Sequence, residues 1–203
     1  MNLTYWLGKN LFHEVARGLF DLRIIGEEKM RFAGPALVAC NHVSFLDPPF
    51  VGQAFDEPIH YFARKTLFDH PVAGWILREW QSIPIDQDKP DASSLKATIR
   101  FLRQGEKVLI FPEGTRSPDG TLQPAEAGVG LFIAKSKAPV LPVRIFGSYE
   151  AYPRGAKTFR PARITIVVGD LWQPDLDSYQ KEGKDLYQAL AQDVMQRIGE
   201  LVS

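Results

Sequence analysis

The chain has 203 residues, 24 Lys plus Arg against 24 Asp plus Glu, with 45% hydrophobic and 11% aromatic residues, an ordinary composition for a folded domain. A chain of 22.8 kDa buries about 70% of the surface it would expose unfolded, enough for one substantial core. The apolar content excludes a disordered chain, and zero net charge argues against a general nucleic-acid binder that neutralises many phosphates.

A single cysteine, Cys40, excludes an internal disulfide framework and any multi-cysteine zinc or iron–sulfur site, so a reducing compartment is expected. No apolar run approaches the roughly 18 to 20 residues that span a bilayer, and the N-terminus lacks a signal-peptide pattern. These features predict a cytoplasmic protein. The charge is nonetheless uneven: residues 135–163 hold seven bases against Glu150 alone, whereas 170–203 hold seven acids and three bases.

In chain order, Asn2 to Asp21 plots as an amphipathic helix. Leu7, Leu11, Val15, Leu19, Phe12, Tyr5 and Ala16 lie on one half, with Trp6 and Phe20 breaking into the polar half. Such a helix either packs on the domain or lies at a membrane interface. The segments Arg23–Gly26, Ala36–Cys40, Ile59–Ala63, Ser82–Asp86, Lys107–Phe111, Val140–Phe146 and Arg163–Gly169 read as seven strands. Ala36–Cys40 and Val108–Phe111 are apolar without alternation, as in strands covered on both faces. Asp47 before Pro48 and Pro49 reads as an N-cap with proline at the first helical position. Leu95, Ile99 and Leu102 before Gly105, and the stripe Leu186, Leu190, Val194, Ile198 and Leu201, mark two further helices. The alternation predicts one α/β layered domain over residues 23–203, following the helix at 1–22. Its central sheet should be mostly parallel or mixed, of about seven strands flanked by helices.

Two loops carry the chemistry. Asn41-His42-Val43-Ser44-Phe45-Leu46-Asp47 leaves a buried strand at its carboxyl end, where open α/β sheets bind ligands. There Asp47 can fix the tautomer of His42 so that the other ring nitrogen abstracts a proton; the bland alternative is a loop histidine beside a helix cap. Phe111-Pro112-Glu113-Gly114-Thr115-Arg116-Ser117 also follows a buried strand and offers a guanidinium fork to a phosphate or carboxylate; its bland alternative is a turn. The loops converge if their two strands run parallel.

His-x-x-x-x-Asp followed by Phe-Pro-Glu-Gly-Thr-Arg-Ser resembles the signature pair of the glycerolipid acyltransferase family, of which the 1-acylglycerol-3-phosphate acyltransferases are the best-known type. Between and after them, Arg64-Lys65-Thr66-Leu67-Phe68 with Gly74-Trp75 and Ile83-Pro84-Ile85-Asp86, then Val140-Leu141-Pro142-Val143, resemble the family's other two blocks. The resemblance covers about Arg23 to Gly169. It implies transfer of a fatty acyl group from acyl-CoA or acyl-carrier protein to a lysophospholipid hydroxyl, without acyl-enzyme, metal or redox cofactor. His42 would be the base and Asp47 its partner. Glu113, Gly114 and Thr115 would shape the acceptor site, and Arg116, with Arg64 or Lys65, would hold its phosphate. Two positions depart from the family pattern: Gln87 stands where many relatives have arginine, and Glu126 where many have lysine. The acceptor headgroup therefore stays open.

Phe68, Pro71, Val72, Trp75, Ile76, Leu77 and Trp80 form an aromatic-rich segment that reads as core or as an acyl-chain groove. The basic stretch Arg154 to Arg163 reads as a solvated loop or as a face attracted to anionic lipid, so peripheral membrane attachment is expected. Two other functions fit parts of the sequence: a hydrolase using Cys40 as nucleophile with His42, and a noncatalytic lipid-binding protein.

Overall fold

The computed structural model describes residues 3–86 and 92–203. Helix α1 (Leu3–Phe20) leads into strand β1 (Arg23–Ile25), then β2 (Ala36–Cys40), α2 (Asp47–Gln53), β3 (Phe62–Arg64), α3 (Pro71–Glu79), β4 (Ile83–Ile85) and α4 (Ala92–Arg103). They are followed by β5 (Lys107–Ile110), α5 (Ala127–Ser136), β6 (Val140–Phe146), α6 (Ser148–Ala151), β7 (Thr165–Val168) and α7 (Gly183–Glu200).

The α/β class holds, but the expected sheet of about seven strands divides. Among the described residues, five strands form the central mixed sheet in the order β1-β7-β6-β2-β5, and β3 pairs with β4 in a separate parallel ribbon. The expected strand at 59–63 explains the division. His60 makes one parallel bridge to β5, donating N–H to Lys107 O at 3.0 Å and accepting from Leu109 N at 2.9 Å. The chain then leaves that edge, and Ile83 N–H donates to Tyr61 O at 2.6 Å as the ribbon begins.

β2 sits between β5 and β6, parallel to both, in register Ala36↔Lys107 through Ala39↔Ile110 on one side and Leu37↔Val140 through Cys40↔Val143 on the other. All five β2 residues are fully buried, which accounts for their unbroken apolar run. Two core clusters fill the faces of the sheet. One gathers Val38, Leu109, Leu141, Ile145 and Ile166 with Phe50, Phe55 and Phe20; the other gathers Leu37, Val108 and Val140 with Leu102, Ile133, Leu190 and Val194. The stripe of α7 ends in the second cluster as its spacing predicts, and Gly130 lets α5 approach it. A Cβ at Gly130 would collide with the Tyr187 carbonyl.

Burial of α1 covers one flank of its apolar half and extends past it to Phe20, which the helical spacing puts in the polar half. Tyr5, Ala16 and Phe20 are buried, Phe12 and Phe20 each meet the Phe50 ring edge-on at 5.3 Å, and Lys9 hydrogen-bonds the Phe55 carbonyl. Leu7, Leu11, Val15 and Leu19, one every four residues, lie open to solvent with Trp6. The aromatic segment is not core either. Gly74 is the buried residue of α3, and Val72 and Trp75 are 60% and 51% exposed, while Trp80 packs against Tyr5.

Candidate active site

Because β2 and β5 are parallel neighbours, their carboxyl-terminal loops emerge side by side, as the two-loop argument requires. The main chain of His42 is clamped by the second loop on both sides. Its N–H donates to Glu113 Oε1 at 2.8 Å, and its carbonyl accepts from Ser117 N at 2.7 Å. The imidazole stacks on Phe111 with ring centroids 3.9 Å apart and planes 16° apart.

His42 Nδ1 lies 2.8 Å from Asp47 Oδ2, a pairing in which a neutral imidazole donates its Nδ1–H to the carboxylate and keeps a lone pair on Nε2. The same oxygen accepts the N–H groups of Val43 and Ser44, each at 2.7 Å, and Oδ1 accepts the Ser148 hydroxyl at 2.6 Å. Asp47 is completely buried, so its charge is satisfied by four donors rather than by water. The expected N-cap role is corrected: Leu46 is the cap, and Asp47 is the first helical residue with its carboxylate turned back over residues 42–44.

Glu113 is also turned inward. Its second oxygen accepts Gln123 N at 3.0 Å, so one nearly buried carboxylate ties the His42 loop to the segment that closes the second loop. Burial raises its pKa above the ordinary value, with the backbone N–H bonds from His42 and Gln123 acting the other way and the Asp47 charge adding to the rise. Gly114 has φ 69°, in the region that favours glycine, and a Cβ there would lie 3.1 Å from Glu126 Cγ. Thr115 is exposed beside it, and the Arg116 guanidinium lies 5.6 Å from the centroid of the exposed Phe45 ring.

His42, Asp47 and Glu113 thus form one hydrogen-bonded cluster, with Gly114, Thr115 and Arg116 following directly in the second loop. Arg64 and Lys65 are exposed at the end of β3, on the separate ribbon. Of the two departures, Glu126 stands at the start of α5 with its N–H on Pro112 O at 2.8 Å, and Gln87 lies outside the described residues. Sequence reasoning missed Ser148 and Asn41. The Asn41 side chain donates to Ile145 O at 3.1 Å and accepts from Ile145 N at 2.8 Å, continuing the β2–β6 ladder beyond the strand. Among the described residues no group of three or more His, Cys, Asp and Glu side chains could hold a metal ion.

The sequence profile of the Acyltransferase family matches residues 21–146, which carry both loops and the strands that position them. The chain belongs to this family. A 1-acyl-sn-glycerol-3-phosphate acyltransferase of Bacillus subtilis is 29% identical over 182 residues, spanning 89% of this chain and 87% of that protein. One from Limnanthes alba is 32% identical over 193 residues, spanning 88% of this chain and 68% of that one. Among solved structures, the 1-acyl-sn-glycerophosphate (LPA) acyltransferase PlsC from Thermotoga maritima superposes with a TM-score of 0.78 at 25% identity, over 95% of this chain and 77% of that chain. In this acyltransferase the Cys40 thiol is fully buried and its pKa is raised well above the ordinary value, by burial first and then by the charges of Asp47 and Glu113. A thiol fully buried in this way is inaccessible to a substrate, which counts against the hydrolase alternative.

Proposed function

We propose that this acyltransferase moves a fatty acyl group from the thioester of acyl-CoA or acyl-carrier protein to the free hydroxyl of a lysophospholipid. The acceptor is 1-acylglycerol-3-phosphate and the product phosphatidic acid. The observation that carries the mechanism is the His42 Nδ1 to Asp47 Oδ2 hydrogen bond, which leaves Nε2 as the acceptor of a proton. Nε2 takes the proton of the acceptor hydroxyl as its oxygen attacks the thioester carbonyl carbon; the carbon–sulfur bond then breaks, and the proton passes to the departing thiolate. A base so placed contributes about 10² to 10⁴ in rate. No acyl-enzyme intervenes, and a thioester needs no metal or redox group to activate it. Arg116, steadied over Phe45, holds the acceptor phosphate as a charge-assisted pair.

One observation favours a second acceptor class. Glu126 packs close to Gly114, its Cγ 3.1 Å from where a Gly114 Cβ would lie, so an acidic side chain adjoins the second loop, and a lysophospholipid whose headgroup carries a cation beside the phosphate would meet less repulsion there than a bare phosphate monoester. Offering acyl-CoA with a panel of lysophospholipids and identifying products by mass spectrometry decides the matter. Phosphatidic acid as the main product supports the first reading, a diacylated zwitterionic lipid the second, and no acylated lipid from any acceptor contradicts both.

The enzyme works at the cytoplasmic face of a membrane, attached peripherally. Among the described residues no helix is long and apolar enough to cross a membrane. The open stripe of α1, the exposed Val72 and Trp75 of α3, and Phe159, 6.1 Å from the Phe20 ring, supply apolar surface. Arg154, Lys157 and Arg160 are exposed beside Phe159, whereas Arg163 pairs with Asp21 and Arg144 is engaged with the Gly199 and Leu201 carbonyls. Flotation with anionic vesicles should fall when Leu7 and Leu11 become glutamate, and again when the exposed Arg154, Lys157 and Arg160 become alanine. Unchanged flotation in both variants would contradict attachment through these surfaces.

A further inference from the structure

We propose that Ser148 is a positioning residue for acyl transfer, holding Asp47 in the orientation that makes His42 a base; the proposal rests on the general-base reading of His42. The Asp47 carboxylate uses one oxygen for everything on its own loop: Oδ2 takes His42 Nδ1 and the N–H groups of Val43 and Ser44. Oδ1 has one hydrogen-bond donor among the described residues, the Ser148 hydroxyl, and both residues are completely buried. Without that bond the carboxylate would be pinned at one oxygen and free to turn about it, and a buried charged oxygen would be left without a donor.

The rest of the segment is built to aim this hydroxyl. Gly147 adopts φ 80°, and a Cβ there would collide with the Arg163 carbonyl, so the turn from β6 into α6 is closed to other residues. On one side of Ser148, Asn41 bonds both polar groups of the Ile145 main chain; on the other, Tyr152 O accepts the Ser44 hydroxyl at 2.9 Å. Tyr149 reaches the second catalytic loop by donating its hydroxyl to Pro118 O at 3.0 Å. The segment 145–152 is therefore fastened to both loops, and Ser148 is its one side chain bonded to the dyad. Its hydroxyl bonds Asp47 and not the imidazole, so its influence passes through Asp47.

Steady-state acyl transfer by Ser148→Ala, Ser148→Thr and His42→Ala, with thermal midpoints, tests this. Ser148→Ala should lower kcat about tenfold with KM for both substrates unchanged, the factor for losing one hydrogen bond to a charged group. The acid limb of its pH–rate profile should move to higher pH, because a carboxylate relieved of a donor pulls harder on the imidazole proton. The other titratable groups whose charges couple to this cluster are Glu113, from the loop after β5, and Cys40, at the end of β2, and neither substitution alters them. Ser148→Thr, which keeps the hydroxyl, should restore most of kcat. A kcat for Ser148→Ala within twofold of the parent, a change confined to KM, or equal impairment of the threonine variant would overturn the proposal. If Ser148→Ala does not fold, the near-isosteric Ser148→Cys, a weak donor, replaces it with the same expected losses. Full activity of His42→Ala would instead reject the base assignment, whatever the serine variants do.

Discussion

Glu113→Gln separates two roles that one carboxylate performs, bracing a catalytic loop and carrying a charge in the interior. Glutamine has nearly the same size, but one oxygen becomes an amide that must face the N–H of either His42 or Gln123, the two groups now bound at 2.8 and 3.0 Å. A hydrogen bond to a charged acceptor contributes about 1.5–3 kcal/mol, and a buried donor left unpaired costs about 1–3 kcal/mol. Against this, the variant removes a nearly buried charge whose burial is the largest influence on its titration. The opposing terms leave a net loss of about 1–2 kcal/mol, or roughly 2–8 °C in Tm for a domain of this size. Activity should suffer more, because His42 hangs from that bond: kcat should fall about 10- to 100-fold, the scale of a misplacement of about 1 Å at most. The pH dependence has a definite sign. With the folded pKa above 4.5, the contribution of Glu113 is fully present below pH 4.5 and is lost as pH rises through the folded value. Glutamine has no such slope, so the Tm deficit of the variant should be largest at low pH and shrink toward neutrality. Thermal unfolding of both proteins across pH, with parallel kinetics, checks this; a deficit that grows with pH, or an unchanged kcat, would refute the reasoning.

Arg116→Ala should lower kcat/KM for a phosphate-bearing acceptor about 10- to 100-fold, as expected for one charge-assisted bond, and leave a monoacylglycerol almost unaffected. Equal losses on both acceptors would assign Arg116 to the loop instead of the phosphate. Gly130→Ala inserts a methyl group against the Tyr187 carbonyl where α5 crosses α7, and should destabilise by about 1–3 kcal/mol despite the better helix propensity of alanine. Chemical denaturation measures it, and a variant as stable as the parent would mean that the two helices can separate without loss.

The convergence of the two loops was legible because both follow strands whose unbroken apolar runs mark them as buried, and burial on both faces goes with parallel neighbours. The division of the sheet was not legible. The segment at 59–63 has strand character throughout, and only its partners decide that His60 bonds β5 while Phe62 bonds β4. The apolar half of α1 was visible, but helical spacing gives one broad face and cannot say that Tyr5 and Ala16 are covered while Leu7 and Leu11 are open. Asp47 before two prolines carries the pattern of a helix cap, and its actual use depends on loop curvature that brings three donors onto one oxygen. Ser148 gives no local signal, since its partner lies 101 residues away in the chain.

The proposed acyl transfer requires His42 as its base. Acyl transfer from acyl-CoA to the preferred lysophospholipid should drop by about 10² to 10⁴ in His42→Ala, with the thermal midpoint little changed, while Cys40→Ala keeps most of its activity. A His42→Ala enzyme within about threefold of the parent, or a Cys40→Ala enzyme that is folded but inactive, would contradict it.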